Sequence, residues 1–415
     1  MKNIVILGAG TGGTLMANKL RKKLSEKSWD ITIVDQEKVH YYQPGFLFIP
    51  FGIYKDSDVI KPKEKFIPKG VKLLFAKIDR IVPHENKVLL ENNKVLSYDF
   101  LIIATGTRIA PEETPGLLGK LWQKEIFDFY TLEGASALAK YLETWKGGKM
   151  VVNITELPYK CPVAPLEFIF LADAFFKKRG MRDKVDITLV TPLPGVFTKP
   201  IATKMLGKMM DSKNINIIPD YNISEVDNDR KKIVDYGGTE VDFDLLVTIP
   251  TNKGDDMIER SALGDDLNFV LTDKFTLQAV GHQNIFVIGD AANLPTSKAG
   301  SVAHFASEVL EENILCAIEG KPLDAKFDGH ANCYIVTSFN KGTLIDFNYD
   351  TEPLPGLYPY PVIGPFALLK DTRLNYFGKM FFRWMYWNLL LKARKLPVTD
   401  HMSMAGKKYP KHNTV

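Results

Sequence analysis

The sequence predicts an α/β chain of two Rossmann-like dinucleotide-binding domains plus a C-terminal membrane-associated region. Three observations carry that expectation. A strand, a glycine-rich turn, a helix and a second strand ending in an acid fill the first 35 residues. A strand of the same kind starts afresh near residue 148, and residues 374–396 mix aromatic and basic side chains without an acid.

The 415 residues are too many for one ordinary core. Hydrophobic residues make up 45% and charged residues 25%, which suits a folded body. A net charge of +4 gives no footprint for nucleic acid. Three cysteines do not form a disulfide scaffold, so buried or reactive thiols are expected. The start, MKNIVILGAG, runs directly into a strand, so no secretory signal is expected. No uninterrupted apolar run is long enough to cross a bilayer, and no metal site is predicted.

Residues 3–7, NIVIL, form an apolar run suited to a buried parallel strand. A glycine motif follows at Gly8, Gly10 and Gly13. The first glycine serves a tight turn, the second close approach to a pyrophosphate, the third helix–strand packing. The helix behind them, LMANKLRKKL, presents free N–H groups and a positive dipole end to phosphates. A second strand over residues 30–35 ends in Asp35, 22 residues after Gly13, where a ribose-binding acid belongs.

Two later strands, YDFLIIATGT over 98–107 and NIFVIGDAA over 284–292, end in small residues. They resemble the ATG and GD segments of the glutathione-reductase-like flavoproteins. The resemblance implies that FAD is the dinucleotide, with Thr105, Gly106, Gly289 and Asp290 around it and Asp290 on the ribityl chain. The helix after Lys298 would face the flavin and favour negative charge on it. An FAD domain is thus expected in two segments, 1–112 and 261–325.

The intervening stretch, 113–260, repeats the architecture but lacks the second glycine motif. After the strand GKMVVNIT come residues 156–167, ELPYKCPVAPLE, without one glycine. The next strand, VDITLVTP, ends in neither an acid nor an Arg. A nicotinamide dinucleotide would lose both its pyrophosphate turn and its ribose partner. Cys161 stands where the glycines would be, at the expected start of a helix that would stabilise its thiolate. The alternative for Cys161 is a small buried hydrophobe. Cys333 lies beyond the returning FAD segment, and Cys316 falls on the apolar side of a helix, as core.

Together these segments resemble the sulfide:quinone oxidoreductases, particularly the branch with the mitochondrial enzymes. The shared pieces are GAGTGG, HYYQP over 40–44, KCPVAP over 160–165, IGDAANLPTSK over 288–298, the 327–340 segment around Cys333, and DFNY over 346–349. The resemblance implies a flavoenzyme that oxidises sulfide to sulfane sulfur through Cys161 and Cys333, with electrons passing to a membrane quinone. A sulfur bridge between the two cysteines would be opened by sulfide, leaving a persulfide on Cys333 and a thiolate on Cys161. The sulfur acceptor would be a thiol, sulfite or polysulfide. Lys298 and Lys370 are candidates for stabilising reduced flavin or quinone oxygen, and Glu167 for moving protons near Cys161; plain surface lysines and a helix first-turn acid are the alternatives. Some branches carry a third redox cysteine upstream, which this chain lacks.

Residues 374–396 hold seven aromatic and five basic residues. Lys379 and Arg383 interrupt the run, so an interfacial helix on the lipid bilayer surface is expected rather than a span. Phe381, Phe382, Trp384 and Trp387 would line the quinone or lipid side, in a C-terminal flavin-covering region over 326–415. A dimerisation face, and so a homo-oligomer, is the alternative. The expected location is peripheral, on a cytoplasmic or organellar membrane. Three other functions stay open: a single-subunit NADH:quinone oxidoreductase, the flavoprotein subunit of a flavocytochrome c sulfide dehydrogenase, and a flavin–thiol redox sensor.

Overall fold

The computed structural model describes residues 1–396, 399 and 401–409. The apolar run at the N-terminus forms the strand Lys2–Leu7, the centre of a five-stranded parallel sheet. Trp29–Asp35 and then Val71–Phe75 lie on one side of it. Phe100–Ile103 and Ile285–Val287 lie on the other, so the two expected FAD segments share one sheet. The helix Thr11–Lys23 ends in Arg21, Lys22 and Lys23, which favour its negative C-terminal end. Its Lys19 reaches the returning helix Gly300–Ile318 and pairs with Glu308 at 2.7 Å and Glu311 at 2.9 Å.

A second parallel sheet runs in the order Ile126–Phe127, Leu245–Ile249, Gly148–Ile154, Val185–Val190, Asn216–Ile218. Its central strand is buried from Met150 to Ile154 because both faces are covered. The chain leaves Gly148–Ile154 and, after residues 155–163, enters the helix Ala164–Lys178, with Pro165 in the first turn.

The third sheet is mostly antiparallel. Ala331–Ser338 pairs with Lys341–Phe347, and Gly356–Tyr360 with Gly364–Leu368. The Ala164–Lys178 helix packs on Ala331–Ser338, which brings the region of Cys161 to that of Cys333. A last helix, Arg373–Met385, is capped by the Thr372 hydroxyl, which accepts from the Asn375 amide, and runs into a π-turn over Tyr386–Leu390. It lies so close to the third sheet that a Cβ at Gly378 would come within 2.8 Å of the Tyr334 and Phe366 rings. No described helix is long and apolar enough to cross a membrane.

The helix has two distinct faces. Asn375, Gly378 and Lys379 are buried, whereas Leu374, Phe377, Phe381 and Trp384 are exposed. Lys379 and Arg383, which interrupt the apolar run, are paired, Lys379 with Glu167 and Arg383 with Asp58.

Candidate active site

One cavity opens at the carboxyl ends of the first sheet. Gly8, Gly10 and Asp35 line one end, and Cys161, Glu167 and Lys379 also reach it. Gly8 has φ +95°, and a Cβ on it would meet the Ala104 carbonyl at 2.4 Å. A Cβ on Gly13 would lie 1.9 Å from the Gly8 carbonyl, whereas one on Gly10 would meet no protein atom within 4 Å. Two glycines therefore make the turn, and the third leaves room for a ligand. Asp35 accepts from the Ala9 amide at 2.6 Å and pairs with Lys63 at 2.5 Å, which fixes it at the cavity edge. Thr105, Gly106, Gly289 and Asp290 line the same space. The Thr105 and Thr107 hydroxyls are buried with no hydrogen-bond partner among the described residues.

Cys161 departs from expectation. The helix starts at Ala164, and Cys161 sits before it in a left-handed turn at φ +49°. Its amide donates to the Lys298 carbonyl at 2.7 Å, and its carbonyl accepts from the Ala164 amide at 2.8 Å. Burial pushes its thiol up to about 11, and the Ala164 amide at the helix start opposes that rise without cancelling it. The Lys379 ammonium opposes that shift and Glu167 adds to it. Cys333, buried on its strand, is raised further by burial, then by Cys161, with Lys379 again opposing. The two thiols thus share one electrostatic neighbourhood, and all three cysteines are unbridged.

Glu167 and Lys379 act on both thiols. Glu167 is fully buried, accepts from the Val336 amide at 2.9 Å, and pairs with Lys379 at 2.9 Å. Lys379 also donates to the Tyr334 carbonyl at 3.1 Å. Burial works against its charge, but Glu167 and Cys161 outweigh it and hold the ammonium. At the cavity wall, the Tyr386 hydroxyl lies 2.7 Å from Thr11 Oγ1 and 2.6 Å from His40 Nε2, joining the last helix to the glycine turn.

Lys298 lines the cavity, where its ammonium donates to the Asp290 and Ala292 carbonyls at 2.8 and 2.9 Å and burial pulls it down to about 8. Three other expectations need correction. Lys370 is exposed and outside the cavity lining. Trp387 is buried against Phe66, with ring centroids 5.2 Å apart, because the π-turn points it and Tyr386 inward. Cys316 is half-buried near the end of its helix rather than in the core. Phe382 lines the cavity, whereas Phe381 and Trp384 face outward.

Residues 2–152 match the family model of pyridine nucleotide-disulphide oxidoreductases. The chain is 31% identical over 397 residues to the mitochondrial sulfide:quinone oxidoreductase of Dictyostelium discoideum, covering 94% of this chain and 86% of that one. It belongs to the sulfide:quinone oxidoreductase family. The mouse mitochondrial sulfide:quinone oxidoreductase is 28% identical over the same shares. The sulfide:quinone oxidoreductase structure from Aquifex aeolicus shares the fold, with a TM-score of 0.78 at 22% identity over 94% of this chain and 92% of that one. FAD is the cofactor, and the site fits it: the open space at Gly10, the partnerless Thr105 and Thr107 hydroxyls and Asp35 suit a polar dinucleotide.

Sequence reasoning missed Lys379 and Tyr386 as site residues. A signal was present: Asn375, Lys379, Phe382 and Tyr386 recur at helical spacing, opposite the stripe of Leu374, Phe377, Phe381 and Trp384.

Proposed function

We propose that this chain is an enzyme that oxidises sulfide to sulfane sulfur through Cys161 and Cys333 and passes the electrons to a membrane quinone. The observation that carries the reading is the buried constellation of Cys161, Cys333, Glu167 and Lys379 beside the dinucleotide cavity. In the oxidised enzyme a sulfur bridge joins the two cysteines. Hydrosulfide attacks it on the Cys333 side; one S–S bond breaks as another forms, and the electron pair leaves on Cys161. A low-pKa leaving thiol favours that step, and the Lys379 ammonium and the Ala164 amide are the groups that oppose the burial raising it here. Cys161 lines the cavity, which supports placing it on the cofactor side. Bound FAD supplies a two-electron acceptor that can pass electrons on to quinone. Glu167 holds Lys379 in place and is the nearest buried carboxyl for the proton released. The sulfane sulfur leaves to a thiol, sulfite or polysulfide.

The stripe of Leu374, Phe377, Phe381 and Trp384, 47–63% exposed, supports peripheral docking on a lipid surface. Val362 and Ile363, at 83% and 77%, add an apolar hairpin tip. Lipid-soluble quinone would enter from that side, past Phe382. The absence of glycine from 156–163 disfavours the NADH-using alternative. Anaerobic titration with sulfide, followed by a short-chain quinone, tests the function. Sulfide should bleach the flavin and quinone restore it, while NADH at the same concentration does neither; a flavin that sulfide leaves oxidised would overturn the reading.

A further inference from the structure

Four lysines reach the cavity. Lys63 pairs with Asp35 and Lys379 with Glu167, and Lys298 is held by two carbonyls. Lys160 differs from all three. Its ammonium has one neutral partner, the Gln43 Oε1 at 3.2 Å, with the Tyr130 ring 6.0 Å away. Among the described residues no carboxylate lies within ion-pair distance of it, although it is only 9% exposed. A buried ammonium with so little compensation is costly unless an anion comes to it.

Its position shows which anion. The backbone around Lys160 is fixed: its amide donates to Asn252 Oδ1 at 3.1 Å, and the next amide, of Cys161, donates to the Lys298 carbonyl. The glycine turn and Asp35 line the part of the cavity suited to phosphate and ribose, and Lys160 lines the same cavity directly beside Cys161 in the chain. Asp290, then the buried Asp128 and Cys161, are near enough for their charges to favour the Lys160 ammonium, against the burial that disfavours it. Lys160 is therefore at the redox end.

Resting on the reading that FAD fills this cavity with Cys161 at its redox end, we propose that Lys160 is the cation that stabilises negative charge on the reduced cofactor and so sets its reduction potential. A charge near the flavin ring is one of the ways in which a protein tunes a cofactor. Gln43, from the HYYQP segment, holds the ammonium without neutralising it.

The test compares Lys160→Met and Lys160→Arg holoenzymes by equilibrium reduction against an indicator dye, with neither sulfide nor quinone present. Lys160→Met should shift the equilibrium at least tenfold toward oxidised FAD, roughly 30 mV more negative for a two-electron couple. Lys160→Arg should stay near wild type. An unchanged potential in a fully loaded Lys160→Met enzyme would overturn the proposal. If that variant loses FAD, Gln43→Leu decides. Removing the acceptor leaves the positive charge less screened, so the potential should rise, and an unchanged or lower value rejects the role. Sulfide titration of the wild type tests the function separately, since the potential shift needs no substrate.

Discussion

The Lys379 ammonium lies 2.9 Å from the Glu167 carboxylate, although the two residues are 212 positions apart and both are buried. The pair joins the last helix to the helix that follows Cys161, and its charges act on both Cys161 and Cys333. Removing one partner of a buried pair leaves a charge without compensation, whereas removing both does not.

Lys379→Met should therefore lower stability by about 3–5 kcal/mol. The double variant with Glu167→Gln should recover a good part of that, which denaturant unfolding of the single and double variants measures. The Cys161 thiol, already pushed up to about 11 by burial, should rise further once the opposing ammonium is gone. Alkylation of the reduced enzyme against pH reads this directly. A rate profile that moves to lower pH in Lys379→Met contradicts the assignment.

Cys161→Ser and Cys333→Ser should each abolish sulfide-driven quinone reduction with FAD retained, because a hydroxyl forms neither a sulfur bridge nor a persulfide. Cys316→Ser should keep activity. Its half-buried position gives the hydroxyl access to water, so the cost should stay below the about 1–3 kcal/mol of a buried unpaired group. Flavin content and turnover of the three variants are the readouts, and an active Cys333→Ser enzyme would remove the two-cysteine mechanism.

Gly10 and Gly13 should fail differently. Alanine at 13 collides with the Gly8 carbonyl, so Gly13→Ala should disturb the fold itself. A Cβ at 10 meets no protein atom within 4 Å, so Gly10→Val should fold but not hold FAD. Circular dichroism and flavin absorbance separate the two effects. A Gly10→Val protein with full flavin content contradicts the placement of the pyrophosphate.

The outer stripe is tested without disturbing the site. Phe381 and Trp384 stack on each other with centroids 5.2 Å apart and are each about half exposed. Replacing both with Asp should weaken vesicle binding roughly 100-fold or more, since burying each ring contributes roughly 1.5–3 kcal/mol. FAD loading and sulfide bleaching should remain. Deleting 374–415 is a poorer test, because it also removes Lys379 and Tyr386 from the cavity wall. Sedimentation of the double variant with vesicles as strongly as wild type rejects the docking face.

Local chemistry determined a good deal in the sequence alone. The glycine turn, its strand and Asp35 are close in the chain, and each residue type follows from backbone geometry or phosphate contact. The glycine-free stretch at 156–163 is equally local. The resemblance to a family then drew attention to Cys161 and Cys333. What only the tertiary structure decided is where the charges go. A lysine in an aromatic, basic helix reads as solvent- or headgroup-facing, because burying an ammonium is costly unless a partner offsets it. Lys379 is inside because Glu167, 212 residues earlier, provides that partner, and Gly378 lets the helix close over it. Lys298 lines the cavity, and its ammonium meets the Asp290 and Ala292 carbonyls, whose directions depend on the turn after the last parallel strand. Desolvation and long-range pairing depend on neighbours distant in sequence, so only the folded chain assigned each lysine its partner.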